Sequence, residues 1–341
     1  MNQLKKFEIF CGTGGVGKTT LATSRALYHA SNGRKVLLIT IDPAKRLKDL
    51  LKLESPAGQV EEISFETHRL DCLLMNPEMT ITRMSKKDSD RKLDENKIIK
   101  ILARPFGGMN EILSLIELQM QFDKNLYDVI VLDTAPGSHF LDFLESAKKI
   151  NLFFDDQIIE VFTNLNKSTA NKFQFVNRLI SAGIKKILFY LEQVTGKDFV
   201  HDFSQALYLI YQSKDLFLEG LKIEQKLKNE ALTNIFFVTS PEQIKPEEAQ
   251  DMIQRGKKLS NPHYFAVMNK SLHSELISWE PTTAEALALK NSLIKREGDL
   301  NQNLHQNFTK VFTFPETVSE SLDENLKQLR NHWSVYGSDL N

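Results

Sequence analysis

The sequence predicts an α/β protein: a mostly parallel sheet with helices on both faces and an inserted α-helical subdomain. Three observations carry that expectation. Short apolar runs recur along the chain, each bounded by turn residues. Most are continuous rather than alternating, the pattern of strands buried on both faces. Helical stretches lie between them, and this alternation favours parallel strands joined by crossover helices.

The first run covers residues 7–11, and a helical pattern follows over about 18–31. Further runs lie at 36–41, 70–75, 128–132, 235–239, 264–268 and 311–314. Two stretches break the rhythm. In the first, 78–125, the charged segment 85–97 reads as a solvated loop or a mobile helix end. In the second, 146–232, no strand pattern is evident. There Phe173, Val176, Ile180, Ile184, Ile187, Leu191 and Val194 recur at helical spacing, and Asp198 is a candidate N-cap for a helix bearing Phe199, Phe203, Leu207 and Ile210. The organisation expected is one nucleotide domain, 1–80, 126–145 and 233–341, with a helical subdomain from 81–125 and 146–232. The apolar stripes of that subdomain read either as its own core or as a groove for an apolar helix.

The composition is that of a globular protein: 41% hydrophobic and 26% charged over 341 residues. A net charge of -1 gives no bulk field toward nucleic acid or an anionic membrane, so no nucleic-acid partner is expected. Two cysteines, Cys11 and Cys72, cannot build a disulfide framework or a four-cysteine zinc site. The N-terminus lacks the apolar core of a secretory signal, and no run approaches the roughly 18 apolar residues of a membrane span. A cytoplasmic location is expected.

The chemistry concentrates in residues 12–19: Gly12, Thr13, Gly14, Gly15, Val16, Gly17, Lys18 and Thr19 match G-x-x-x-x-G-K-[ST]. A strand pattern precedes and a helix pattern follows, the context that makes this a phosphate-binding loop. Glycines let the backbone turn and aim N–H groups at phosphate oxygens, and the helix N-terminus adds a positive dipole end. Lys18 is placed to reach β- and γ-phosphates, and the Thr19 hydroxyl to ligate Mg²⁺. Asp42 follows the run 36–41, where a carboxylate beside the loop can orient an attacking water. Asp133 follows the run 128–132, where a carboxylate would hold Mg²⁺ directly or through water. Pro136 and Gly137 suggest a loop that rearranges when the γ-phosphate leaves, and His139 reads as a structural hydrogen-bonding residue.

With these motifs the chain resembles the ArsA/GET family, the arsenite-pump and tail-anchored-membrane-protein targeting ATPases of the deviant Walker A branch of P-loop NTPases. The resemblance rests on residues 12–20, 42–44, 106–111, 133–144, 239–242 and 268–270, in the family's order and spacing, and covers nearly the whole chain. It implies ATP and Mg²⁺ as cofactors, with Gly12 through Thr20 around the nucleotide. It further implies Asp42 as the switch I aspartate that positions the hydrolytic water, and 133–139 as switch II. Asn269 falls on an adenine-recognising asparagine, and Glu242 on a glutamate that approaches nucleotide near a dimer interface. Pro315 falls in a loop laid against the base. The implied partners are a second protomer, in a homodimer or a heterodimer with a related ATPase, and a hydrophobic protein client or membrane partner.

The sequence departs from the family at two places. The family's loop carries a lysine, which reaches across the dimer, where this chain has Thr13. Threonine has neither the charge nor the reach, so hydrolysis is slow, or another cation substitutes, or a partner supplies one. Lys45 and Arg46 are candidate substitutes. The chain also lacks a Cys-x-x-Cys pair, so no zinc clasp or metalloid site is expected, and Cys11 and Cys72 read as buried small residues. The function expected is an ATP-driven conformational switch. The alternatives are an ATPase subunit of an anion transporter and a slow or non-hydrolysing nucleotide-binding regulator.

Overall fold

Strand β1 (Phe7–Gly12) is buried along its whole length, because it lies between two parallel neighbours. The computed structural model describes residues 4–42, 46–87, 93–103, 109–137, 202, 205–206, 209–242, 246–257, 264–319 and 321–336. The remaining strands are β2 (Val36–Thr40), β3 (Val60–Phe65), β4 (His68–Leu74), β5 (Val129–Asp133), β6 (Thr233–Thr239), β7 (Tyr264–Ser271) and β8 (Val311–Pro315). They form one sheet in the order β3-β4-β2-β5-β1-β6-β7-β8. The β3–β4 pair is antiparallel and the other pairs are parallel. The helices, numbered over the described residues, are α1 (Lys18–Ser31), α2 (Arg46–Leu51), α3 (Pro77–Lys87), α4 (Lys97–Leu102), α5 (Asn110–Asp123) and α6 (Lys214–Leu221). After them come α7 (Ile223–Lys228), α8 (Pro246–Lys257), α9 (His273–Ser278), α10 (Ala284–Asn307) and α11 (Leu322–Trp333). Among the described residues no helix is long and apolar enough to cross a membrane.

Seven strands fall on the apolar runs; β3 was not expected. Its sequence, VEEISF, alternates exposed and part-buried positions, and two glutamates mask the strand pattern. It is an edge strand on one neighbour, where exposed charge discourages further pairing. The charged segment 85–97, read as a solvated loop or a mobile helix end, includes a helix end and is not a loop throughout its described residues. Its start belongs to α3, Lys97 begins α4, and Leu93 within it is fully buried. Asn96 supplies the cap of α4, accepting from the backbone N–H groups of Ile98 and Ile99. The Phe173–Val194 stripe, Asp198, His139, Lys45 and residues 106–108 lie outside the described residues.

The chain divides into two compact units, Met1–Met75, Lys124–Asp142 and Gln225–Asn341 against Asn76–Asp123 and Phe143–Glu224. In the second unit the described secondary structure is helical. Helix α6 approaches α5 closely at Gly220, where a Cβ would stand 2.5 Å from Ile116 Cγ1. Buried Glu117 on α5 accepts from the Thr80 hydroxyl at 2.9 Å and Gln121 Nε2 at 2.6 Å, and it pairs with Arg83.

In the first unit, alternate residues of the central strands feed two cores. Phe10, Phe236, Phe312, Phe314 and Trp333 form an aromatic cluster on one face, with Phe10 and Phe236 stacked at 4.8 Å and Phe314 against Trp333 at 4.5 Å. Helix α11, capped by Ser321 accepting from Glu324 N, brings fully buried Trp333 onto α1, where its indole N–H donates to Ser24 Oγ at 3.0 Å. Such a ring buries a large apolar area while its single polar atom finds a partner.

A charged cluster lies buried between β1 and α1. Arg25 makes a bidentate pair with Glu8, both contacts at 2.7 Å, and His29 Nε2 meets the same carboxylate at 3.0 Å. Arg34 Nη1 lies 2.8 Å from His29 Nδ1. A guanidinium only donates, so Nδ1 accepts and the imidazole proton sits on Nε2, toward Glu8. Burial pushes His29 toward its neutral form. Burial alone would raise the Glu8 carboxyl, but the Arg25 charge and the hydrogen bonds hold it well below its ordinary range.

Candidate active site at the carboxyl edge of the sheet

Chain order reverses at β1, since β5 and β2 lie on one side of it and β6 on the other. In parallel α/β sheets ligands bind at such a switch point, beyond the carboxyl ends of the strands. Residues 12–18 turn there from β1 into α1. Gly12, Gly15 and Gly17 have φ of 150°, 80° and 89°. A Cβ on Gly12 would stand 2.1 Å from the Val238 carbonyl oxygen, and one on Gly17 would stand 2.3 Å from Asn269 Nδ2. Neither position admits a side chain in this geometry.

Lys18 is buried and folds back to donate from Nζ to the Thr13 carbonyl at 2.7 Å. Burial lowers its proton affinity, while Asp133, Cys11 and Asp42 oppose that and Arg46 adds to it. The ammonium is thus held over the loop. Thr13 itself points inward: it is 1% exposed, and its hydroxyl has no hydrogen-bond partner among the described residues.

Asp133 closes the other side. Its Oδ2 accepts from the hydroxyls of Thr19 at 2.9 Å and Thr40 at 3.0 Å. The Thr40 hydroxyl in turn accepts from the backbone N–H of Asp42 at 3.2 Å, so one oxygen positions both strand-end aspartates. Thr40 is the residue sequence reasoning missed; the signal was a hydroxyl two positions before an acidic strand end. The segment after β5 is tied to the loop, with Thr134 Oγ1 donating to Phe10 O at 2.8 Å and Gly137 N to Gly12 O at 3.0 Å. Arg46 Nε lies 3.6 Å from Asp42 Oδ2.

A family model described as anion-transporting ATPase matches residues 5–313. The chain belongs to this family. Among curated relatives, ATPase ASNA1 homolog 1 of Paramecium tetraurelia is 26% identical over 276 residues, 80% of this chain and 76% of the relative. ATPase GET3 of Malassezia globosa is 29% identical over 176 residues, 51% of each chain. Putative arsenical pump-driving ATPase 2 of Aquifex aeolicus is 24% identical over 270 residues, 77% of this chain and 79% of the relative.

As a member of an ATPase family, the chain needs a place for a divalent cation beside a phosphate, and its donor set fits one. The Thr19 hydroxyl and the Asp133 carboxylate are hard oxygen donors side by side. Asp133 Oδ1 is buried without a hydrogen-bond partner among the described residues. Glu242, Asn269 and Pro315 lie at or just beyond the carboxyl ends of β6, β7 and β8. Asn269 is buried and donates from Nδ2 to Val16 O at 2.9 Å, so it braces the turn of residues 12–18, a contact its position alone did not suggest. Pro315 is tied beside it, because Glu316 N donates to Ser271 O at 2.9 Å. Glu242 is exposed. Cys11 and Cys72 are both buried, and burial pushes the Cys11 thiol up to about 12.

Burial raises the Asp133 carboxyl from 3.8 to about 6, against the opposing pull of Thr19, Lys18 and Thr40. Its folded value exceeds the unfolded one, so its contribution to stability is complete below about 3.8 and lost as pH rises through about 6. In metal-free protein, the stability of wild type minus that of Asp133→Asn should therefore fall across this window, by on the order of 3 kcal/mol. Urea unfolding of both proteins at several pH values measures that difference.

Proposed function

We propose that this chain is an ATP-driven conformational switch that binds and hydrolyses ATP at the carboxyl edge of its sheet. One observation carries the reading: Lys18, Thr19, Asp42 and Asp133 are drawn together around the phosphate loop by Thr13 and Thr40. Residues 12–20 cradle the phosphates with backbone N–H groups, and Lys18 moves from its own loop carbonyl to β- and γ-phosphate oxygens. Thr19 and Asp133 would hold Mg²⁺, which when bound supplies neutralisation of phosphate charge. Asp42 orients the attacking water. Asn269 and Pro315 flank the base, and Glu242 lies near the nucleotide at a protomer interface. The working unit is a dimer, and the helical unit engages a hydrophobic protein client or membrane partner.

The test is ATP hydrolysis by the purified protein, with Lys18→Ala as the comparison. Wild type should release phosphate in a Mg²⁺-dependent manner. The variant should bind ATP roughly 10- to 100-fold more weakly, the value of a charge-assisted contact. ATP binding that is unchanged by the substitution would remove Lys18 from the site. A second reading, the ATPase subunit of an anion transporter, is favoured by the family's description. Purification with and without ATP separates the two: a co-purifying hydrophobic protein supports the switch, and a co-purifying permease supports the transporter.

A further inference from the structure

We infer that Arg46 is the cation that meets the terminal phosphate of ATP in this chain, and that its pairing with Asp42 holds the site at rest until ATP arrives. The inference rests on the assignment of Asp42 and Lys18 to ATP hydrolysis. Its starting point is an asymmetry. The Asp42 side chain is 3% exposed, whereas that of Arg46 is 48% exposed. A buried carboxylate is thus met by a half-exposed guanidinium at the mouth of the site.

The contact joining them is long, 3.6 Å from Arg46 Nε to Asp42 Oδ2. That is an ion pair without the short, two-pronged geometry of the buried Glu8–Arg25 pair, which is held at 2.7 Å twice. The guanidinium is half-exposed and its contact is long, so it is free to turn toward another anion, and the buried Asp42 carboxylate it leaves must then be met by water. Arg46 begins α2, directly after residues 43–45, and its charge already reaches Lys18. It therefore shares the electrostatic neighbourhood in which the γ-phosphate would lie.

Two consequences follow for the cycle. At rest, Arg46 covers Asp42 and keeps that carboxylate from holding a water. With ATP in place, a terminal phosphate carrying more charge than one carboxylate draws the guanidinium away, and Asp42 is released to orient water. Arg46 then lies against phosphate oxygens as charge develops on them, supplying from within the chain what Thr13 cannot. ADP, lacking the γ-phosphate, leaves the Arg46–Asp42 pair intact. The chain therefore distinguishes the two nucleotides through one side chain.

The experiment compares wild type, Arg46→Ala and Arg46→Lys in phosphate release and in ATP and ADP binding. Removing an arginine from the transferring phosphate should lower kcat by roughly 10³-fold or more. ATP affinity should weaken while ADP affinity stays within about twofold, and Arg46→Lys should recover part of the rate without the full ATP preference. Wild-type turnover with an unchanged kcat in Arg46→Ala overturns the inference and leaves the ATPase reading standing. A faster Arg46→Ala overturns the phosphate contact and keeps only the resting pair. If wild type binds ATP without hydrolysing it, the ATPase reading fails, and loss of ATP-over-ADP preference in Arg46→Ala still decides the contact. A wild type that binds neither nucleotide overturns both.

Discussion

Asp42→Asn should leave ATP binding close to wild type and lower turnover by about 10²- to 10⁴-fold, the range of a positioned acid–base group. The substitution keeps the shape of the side chain and its backbone anchor. The Asp42 N–H still donates to Thr40 Oγ1, so Thr40 and Asp133 keep their places. What changes is chemistry: one carboxylate oxygen becomes an NH₂ that donates where a water proton must be accepted. Phosphate release and fluorescent-nucleotide binding, measured on the same samples, separate the two effects. Near-wild-type turnover would remove Asp42 from its role. Loss of binding and turnover together would mean that the loop had collapsed, and would point to Asp42 as a structural residue.

Glu8→Ala should be the most destabilising single change in the charged cluster, at about 3–5 kcal/mol. The mutation strands the Arg25 guanidinium at 4% exposure and removes the Nε2 partner of His29, which is 1% exposed. A guanidinium cannot shed its proton to escape burial, unlike a lysine. Arg25 also lies over the Trp333 ring at 4.9 Å, so its displacement would loosen the aromatic cluster as well. The urea midpoint measures the loss. Replacing Glu8 and Arg25 together by leucine and methionine should recover most of it, because an apolar pair of similar volume avoids the desolvation of both charges. The pH sign is that of a depressed carboxyl. Glu8's contribution is present above about 4.5 and is lost as pH falls toward its lowered folded value.

What the sequence disclosed follows from how much of the physics is local. Continuous apolar runs marked seven strands, because strands buried on both faces leave no room for polar positions. The turn from β1 into α1 was legible because its glycines meet geometric demands within eight residues, and the strand-end places of Asp42 and Asp133 because each follows or closes a continuous apolar run. The interactions that were not legible join residues far apart in the chain. Glu8 interrupts an otherwise apolar strand, and Arg25 and His29 are four apart on α1, but only the fold brings the three together. Asn269 bracing Val16 across 253 positions is of the same kind, as is the inward turn of Thr13. Strand β3 was hidden for the opposite reason: an edge position lets its glutamates stay wet.

The Trp333–Ser24 hydrogen bond spans 309 positions, and β1 takes both its neighbours, β5 and β6, from later in the chain. Ribosomal synthesis delivers these parts in the wrong order for early closure. The turn between β1 and α1 leaves the exit tunnel long before the strands that flank it, and α1 waits for its cover until residue 333 has emerged. Contacts this distant in sequence are slow to close. Newly made chains therefore carry a ready-made loop sequence with no site around it for most of translation. A nascent chain truncated before α11 should depend on chaperones to stay soluble.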